Sequence, residues 1–261
     1  KLPKLIQKKD VKADLQMHST WSDGKLSMLE MARASAKRGM KVIAFTDHSV
    51  SLGVTGGLSM EAHKEQAKEI KKIQRQLGES ILVLHASEVE IRADGTLDYP
   101  DEFLASLDLV VASLHTSLRQ PREKVTQRVI NAIRNPHVDI IGHPTGRLIQ
   151  EREGADLDME AVLKAAAETG VALEINAHPA RLDLEAVEQL EVVRGPAYRD
   201  AHAGAGLGKP AVLEEDPLEL PEDDLEHVRP GRERDARDEL GHVGVDHVCA
   251  CAPREGGTGV A

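Results

Sequence analysis

The segments Ala13-Asp-Leu-Gln-Met-His18 and Lys41-Val-Ile-Ala-Phe-Thr46 have the length and apolar content of short strands, and a helical pattern over residues 28–38 separates them. This order of strand, helix and strand continues along the chain. Further strands are predicted over residues 81–91, 107–114, 138–142 and 171–176, alternating with helices over residues 61–77, 121–135 and 158–169. Such repeated units predict an α/β fold with parallel strands and helices outside them, either as a barrel or as an open sheet.

Polar side chains that can bind metal ions follow five of these strands. In a barrel of β/α units, residues just past the carboxyl ends of the strands converge on one face, where active sites form. A single histidine after a strand is usually an ordinary loop residue, but five successive strand ends with such groups favour a shared site. Imidazole nitrogens and carboxylate oxygens suit zinc, manganese or iron. The sequence therefore predicts a multinuclear metal centre held by His18, Asp23, His48, Glu88, His115 and His143.

The predicted ligands indicate hydrolysis of phosphate esters. Neighbouring divalent ions lower the pKa of a coordinated water and stabilise the attacking and leaving oxygens of an in-line displacement. Glu88 is the best candidate to bridge two ions, because a carboxylate has two oxygens whereas an imidazole offers one free lone pair. Arg147 follows His143 by four residues, and its planar guanidinium could hold a substrate phosphate. A surface salt bridge is an equally good interpretation of this arginine.

Six stretches of the chain match the motifs of one protein family. They are Asp14-Leu-Gln-Met-His-Ser-Thr-Trp-Ser-Asp-Gly24, Phe45-Thr-Asp-His-Ser49, Glu88-Val-Glu-Ile91, Ala112-Ser-Leu-His115, Asn135-Pro-His-Val-Asp-Ile-Ile-Gly-His-Pro-Thr-Gly-Arg-Leu148 and Leu173-Glu-Ile-Asn-Ala177. Through these motifs, residues 13–184 resemble the PHP (polymerase and histidinol phosphatase) domain. Within that family, the resemblance is strongest to the C-terminal PHP module of bacterial family X DNA polymerases.

The resemblance implies a distorted seven-stranded β/α barrel of the TIM-like type. It also implies a centre of two to three manganese or zinc ions, held by the six ligands predicted above, and metal-dependent phosphoesterase activity. In the polymerase-linked branch, that activity is a 3′→5′ exonuclease acting on DNA 3′ ends. Two alternatives are a stand-alone phosphatase on a small phosphomonoester such as histidinol phosphate, and a catalytically impaired remnant with a structural role.

Two departures from the family pattern affect the metal centre. The first family motif is His-x-His, but here it reads Gln16-Met17-His18. Because an amide is a weak ligand for such metals, one metal site is expected to lose affinity. The last family motif, Asp-Ala-His, follows a seventh apolar strand. Asp200-Ala-His202 has these letters, but the preceding Arg194-Gly-Pro-Ala-Tyr-Arg199 does not have the composition of a buried strand.

The composition of the chain changes near residue 190. Of the formal net charge of −11, residues 190–261 carry −8, and they contain no Ile, Ser, Gln, Asn, Met or Phe. A segment with so much Gly, Pro and charge cannot bury enough apolar surface to offset its ordering entropy. We therefore expect residues 13–189 to form a PHP domain that is incomplete at its C-terminus. Residues 190–261 are expected to be disordered or the product of a frameshift, and residues 1–12 to be a linker from an upstream polymerase module.

The sequence argues against a membrane or secreted protein. No apolar run approaches the roughly 20 residues of a membrane-spanning helix, and Lys1-Leu-Pro-Lys-Leu5 lacks the apolar stretch of a signal peptide. The cysteines, Cys249 and Cys251, provide no disulfide framework, which favours a reducing cytoplasm. The overall acidity is not typical of a nucleic-acid-binding protein, but residues 1–189 carry only −3 of it. DNA therefore stays among the expected partners.

Overall fold

The computed structural model describes residues 10–184, with only the backbone at residue 54, and the backbone of residues 247–250. Six parallel strands form a curled half-barrel in which each strand pairs with the next one along the chain. These strands are β1 (Ala13–Met17), β2 (Val42–Phe45), β3 (Leu82–Glu90), β4 (Leu109–Ser113), β5 (Ile140–Gly142) and β6 (Ala172–Asn176). A short β7 (His247–Ala250) pairs antiparallel with β6.

The helices connect consecutive strands, as the alternating pattern predicts. They are α1 (Met28–Lys37), α2 (Met60–Leu77), α3 (Asp101–Leu104), α4 (Arg122–Ile133) and α5 (Met159–Thr169), with short 3₁₀ turns at Gly53–Thr55 and Gly78–Ser80. The helix α1 begins with a capping box, in which Ser27 and Glu30 each accept a hydrogen bond from the other's backbone N–H. Asp158 caps α5 through the backbone N–H of Ala161. Local sequence signals therefore set the starts of these two helices.

The longest strand, β3, joins the two halves of the sheet. Its first half, up to His85, pairs with β2, and its second half, from Ala86 onward, pairs with β4. Neighbouring strands are thus staggered, which is the geometry that curls a sheet toward a barrel. Because of this stagger, Glu88 extends beyond the end of β2 and forms an isolated parallel bridge with His48.

Two apolar clusters support the sheet. One packs α1 and α2 against β1, β2 and the start of β3, and it includes the fully buried Phe45 and the buried Ile70. The other packs α3, α4 and α5 against the end of β3 and the strands β4 to β6, and it includes the fully buried Val129 and Ile141. Each such side chain contributes about 1.5–3 kcal/mol on burial. The two clusters hold the strand ends in place on one face.

Six predicted strands and four predicted helices are confirmed, with bounds within two residues of the prediction, whereas the sequence did not predict the short α3. A seventh strand of β/α type is not confirmed, because β7 runs antiparallel to β6. Most of the predicted linker 1–12, and the predicted tail 190–261 apart from β7, lie outside the described residues. Within the described ranges, no helix is both long and apolar enough to cross a bilayer.

Candidate metal centre

The ends of five strands meet on one face of the sheet. His18 directly follows β1, His48 lies three residues after β2, His115 two residues after β4, and His143 directly follows β5. Glu88 lies within β3, two residues before its end. The four histidines surround Glu88, so the structure brings these five predicted ligands together.

The carboxylate of Glu88 is the centre of this arrangement. Its Oε2 lies 3.2 Å from Nε2 of His18 and 3.2 Å from Nδ1 of His48. Its Oε1 lies 3.1 Å from Nε2 of His143 and 3.3 Å from Nε2 of His115. Each carboxylate oxygen therefore faces two imidazole nitrogens, and Glu88 belongs to two adjacent clusters of metal-binding side chains.

The sixth predicted ligand, Asp23, lies at the rim of the centre. Its side chain is 46% exposed, compared with 1% for Glu88. One oxygen of Asp23 lies 3.7 Å from Nε2 of His48, and the other lies 3.8 Å from Nδ1 of His18. The rings of these two histidines stack with their centroids 4.3 Å apart. Each ring therefore has one nitrogen facing Glu88 and the other facing Asp23.

The charges of the centre shift the protonation of its side chains. Burial disfavours the ionised form of Glu88, but the charge of His115 and the contacts of the surrounding histidines together outweigh this effect and hold the pKa of Glu88 well below its usual range. Burial alone would lower the pKa of His115, yet Glu88 and Glu90 raise it to about 9. Burial likewise opposes protonation of His18, whose pKa is nevertheless raised by Glu88 and Asp23. The centre therefore carries the negative potential that a bound cation neutralises.

The donor atoms fit a metal centre. The buried Oε1 of Glu88 accepts no hydrogen bond from the described residues, although two imidazole nitrogens lie within 3.3 Å of it. The Nδ1 atoms of His18, His48 and His143 also lack hydrogen-bond partners among these residues. Buried polar atoms without partners cost free energy, and a cation that binds their lone pairs removes this cost. Nitrogen and carboxylate donors suit zinc or manganese.

Two glycines let the ligand-bearing loops approach closely. A Cβ on Gly24 would lie 2.0 Å from the carbonyl oxygen of His18, so the loop from β1 to α1 can fold back only with glycine there. A Cβ on Gly142 would lie 2.5 Å from the hydroxyl oxygen of Ser113 in β4. Glycine at position 142 therefore lets the end of β5 lie against β4, which brings His143 toward Glu88.

Asp47 is a buried residue of the site whose role the sequence did not reveal. Its carboxylate accepts hydrogen bonds from the backbone N–H and the hydroxyl of Ser19, each at 2.8 Å, and from the hydroxyl of Ser22 at 2.6 Å. The side-chain amide of Gln66 in α2 donates a fourth, also at 2.6 Å. Asp47 thus ties the end of β2 to α2 and to the loop between β1 and α1. Its position directly before His48 was the available signal.

Glu90 is a second such residue. It lies two positions after Glu88, and alternate residues of a strand share one face, so its spacing could have identified it. Its buried carboxylate accepts hydrogen bonds from the backbone N–H groups of His115 and Thr116 at 3.1 Å each. Nδ1 of His115 lies 2.8 Å from the same carboxylate. Glu90 therefore contacts a predicted ligand on the side opposite to Glu88.

Two further buried carboxylates anchor the loop that begins at His143. Glu174 in β6 accepts a hydrogen bond from the backbone N–H of His143. Asp183 accepts hydrogen bonds from the hydroxyl of Thr145 and from the backbone N–H of Gly146, both at 2.9 Å. Burial raises the pKa of Asp183. The backbone that follows His143 is therefore held from β6 and from the segment after it.

Arg147 lies on this same loop. Its guanidinium donates hydrogen bonds to the backbone carbonyl oxygens of Arg181 and Leu182. Arg152 donates to a carbonyl oxygen of the loop, and Arg181 donates back to the carbonyl oxygen of Arg147. The structure thus groups three arginines beside the loop that begins at His143. A substrate-binding role for Arg147 stays a prediction.

Of the two departures from the family motifs, only the first falls within the described residues. Gln16 is half-buried in β1, two positions before His18, in the stretch where the pairing of β1 with β2 is irregular. Asp200 and His202, the candidates for the last motif, lie outside the described residues.

The chain is similar in sequence to known proteins. The chain is 49% identical over 180 residues to the DNA polymerase/3′-5′ exonuclease PolX of Bacillus subtilis (strain 168), an alignment that covers 69% of this chain and 31% of the relative. It is 36% identical over 154 residues to a "Probable phosphatase" of Caldanaerobacter subterraneus subsp. tengcongensis, with 58% of this chain and 56% of the relative covered. The chain therefore spans about a third of the first relative and just over half of the second.

The fold is also found in a solved structure. A provisionally assigned histidinol phosphatase of Listeria monocytogenes matches 67% of this chain and 86% of its own, with a TM-score of 0.50 and 15% identity. At this identity, the likeness concerns the fold alone. The PHP domain model matches residues 14–178, well over half of the chain. The chain therefore belongs to the PHP domain family.

Proposed function

We propose that the PHP domain of this chain, a metal-dependent phosphoesterase, acts as a 3′→5′ exonuclease on DNA. The observation that carries the proposal is the contact of both Glu88 oxygens with imidazole nitrogens, two for each oxygen. This geometry supports one carboxylate shared between neighbouring divalent ions. The choice of a DNA substrate is supported by the 49% identity to the exonuclease of B. subtilis, compared with 36% to the phosphatase relative.

We propose that two to three manganese or zinc ions are held by His18, Asp23, His48, Glu88, His115 and His143. When bound, such ions supply a hydrolytic water of lowered pKa and charge stabilisation for a phosphate ester. The protein's own residues set the geometry. Glu88 fixes the distance between the two clusters, Glu90 holds His115, and Asp47 holds the loop between β1 and α1.

The proposed contact with the substrate phosphate comes from Arg147. Its position on the loop after β5 is fixed by hydrogen bonds to the carbonyl oxygens of Arg181 and Leu182. A planar guanidinium is a donor group that matches phosphate oxygens. The positive charges of Arg152 and Arg181 add to the attraction for an anionic substrate.

The test compares two substrate classes on the full chain loaded with manganese or zinc. A 3′-labelled single-stranded DNA oligonucleotide is incubated in parallel with histidinol phosphate and p-nitrophenyl phosphate. We expect release of the labelled 3′ nucleotide, with much slower turnover of the monoesters. Turnover of the monoesters alone would assign the chain to the phosphatases. Glu123→Gln, an exposed substitution on α4, is the control variant, and it should have the activity of the wild type.

The phosphatase is the second candidate function. It is favoured by the 36% identity to the C. subterraneus relative, of which this chain covers more than half. A catalytically impaired remnant is the third, and Gln16 is the residue that motivates it. Metal analysis of the purified protein separates this last candidate from the others, because a remnant would hold fewer than two ions per chain.

The relative named as a polymerase extends the proposal beyond this chain. Because the alignment covers only 31% of that protein, we propose that the domain works beside a polymerase module in a cytoplasmic enzyme of DNA repair. We also propose that the half-barrel closes as a distorted seven-stranded barrel, with residues 13–189 forming most of the domain and β7 of the atypical segment 190–261 adding to its sheet.

A further inference from the structure

The loop after β4 carries His115 and is held by Glu90 from one side. The backbone N–H groups of His115 and Thr116 donate to this carboxylate, as does the hydroxyl of Thr116 at 2.7 Å. Nδ1 of His115 lies 2.8 Å from the same carboxylate, and a proton on this nitrogen completes a hydrogen bond to it. The other ring nitrogen, Nε2, is thereby directed toward Glu88.

The same loop is held from the other side by Arg128 of α4. This arginine is only 2% exposed. Its guanidinium donates to the carbonyl oxygen of Thr116 at 3.2 Å, and to the carbonyl oxygen of Ser117 at 3.1 Å. It also donates to the carbonyl oxygens of Ile91 at 2.6 Å and Arg92 at 2.9 Å, directly after β3. One side chain therefore joins the end of β3 to the loop that carries His115.

The bonding of Arg128 is unusual for a buried charge. Its five hydrogen bonds with described residues go to four backbone carbonyls and the side-chain oxygen of Gln120. Burial lowers the pKa of Arg128, and the negative charge of Glu90 opposes this effect. A buried charge is a weak source of stability compared with an apolar side chain of similar size. A residue of this kind at a core position of α4 calls for a reason other than stability.

The backbone conformation of the loop supplies that reason. Ser117 has a φ of 54°, in the left-handed region that residues with a side chain rarely adopt. Such conformations persist only where the surroundings over-determine them, and they cluster at functional sites. Here Glu90 binds the N–H groups of the loop while Arg128 binds its carbonyl groups.

We propose that Arg128 is a positioning residue of the metal centre, which fixes the backbone of residues 115–117 so that Nε2 of His115 faces Glu88. The proposal rests on the proposed function only for the statement that the centre binds metal. It requires neither a DNA substrate nor a particular reaction.

The test measures metal binding rather than catalysis. Arg128→Lys keeps the positive charge, but an ammonium group cannot bind the acceptors that a planar fork reaches. Loss of a group that orients a metal ligand typically costs about 10–100-fold in metal affinity, and we expect a loss in that range for manganese or zinc by isothermal titration calorimetry of the full chain. Val129→Ala, at the next and fully buried position of α4, is the matched control. It should lower Tm while leaving metal affinity at the wild-type value.

A second variant and a second measurement complete the test. Arg128→Ala leaves a buried space of guanidinium shape, so millimolar guanidinium should restore part of its lost metal affinity but should not affect Val129→Ala. In metal-free protein, the Nδ1 proton of His115 should give a protected ¹⁵N–¹H signal in the wild type that Arg128→Lys loses. Wild-type affinity and a wild-type His115 signal in Arg128→Lys would overturn the inference. A wild type that binds no metal would instead overturn the proposed function, and the His115 signal alone would then decide the inference.

Discussion

At the scale of single residues, Glu88 contributes a charge that no neutral side chain replaces. Glu88→Gln keeps the size of the residue but removes the charge between the four histidines. We expect metal affinity to fall by more than about 100-fold, because both clusters lose a common ligand. The exposed Glu123→Gln should retain metal. Calorimetric titration checks this prediction, which fails if Glu88→Gln binds metal as tightly as the wild type.

Gln16 offers the opposite experiment, a gain of function. It lies two positions before His18, which is the spacing of the family's His-x-His motif, so Gln16→His is expected to add a second imidazole to the centre. We expect the most weakly bound metal to gain about 10-fold or more in affinity. Elemental analysis after dialysis measures the number of retained ions, with Gln16→Asn as the control that adds no imidazole. An unchanged metal content in Gln16→His would show that position 16 lies too far from the ligands.

At the scale of elements, the start of α1 fixes the exit of the loop that carries His18 and Asp23. Ser27 caps this helix and accepts the N–H of Glu30. We expect Ser27→Ala to cost about 1 kcal/mol in the free energy of unfolding. Glu30→Gln keeps a side chain that can complete the capping box and should cost less. Urea unfolding of both variants checks the order, and an equal loss in the two would contradict it.

His63 makes the packing of α2 on β3 sensitive to pH. Its ring is fully buried between His85, Tyr99 and Phe103, and neither ring nitrogen has a hydrogen-bond partner among the described residues. Burial lowers its pKa to about 4. His63 therefore binds a proton near pH 6.5 in the unfolded chain but only near pH 4 in the folded chain. Stability is lost as the pH falls through this window.

We expect His63 to cost about 2–3 kcal/mol of unfolding free energy between pH 7.5 and pH 4.5. His63→Leu removes the titrating group while keeping an apolar side chain. Urea unfolding at the two pH values should show a smaller pH-dependent loss in the variant than in the wild type, since other groups titrate equally in both. An equal pH-dependent loss of unfolding free energy in both proteins would show that a group other than His63 causes it.

At the scale of the whole molecule, metal and folding are linked. A ligand that binds only the folded state stabilises it by about 2.7 kcal/mol at a free concentration of 100 Kd. We therefore expect a chelator to lower the Tm of the full chain, and manganese or zinc to restore it. Glu88→Gln should have the same Tm under both conditions. A wild-type Tm that does not respond to the chelator would contradict the metal centre.

The sequence predicted the parts of this molecule that depend on local patterns. The six strands and the four longer helices follow from apolar periodicity, and His18, His48, His115 and His143 could be placed together because strand ends of parallel sheets converge. Arg128 could not be found in this way, since its acceptors are backbone carbonyls from two other segments of the chain. The antiparallel β7 was equally inaccessible, because its partner strand is far away in sequence.

The pairing of β3 with a different neighbour along each half of its length has a consequence for assembly. Elements before its midpoint supply His18 and His48, elements after it supply His115 and His143, and Glu88 lies in the strand that both parts share. Two bound metal ions would therefore connect these two parts of the sheet through Glu88. In a partly folded chain, His18 and His48 would be separate from His115 and His143 until β3 pairs with both β2 and β4. Tight metal binding therefore requires that the sheet is paired from β1 to β5.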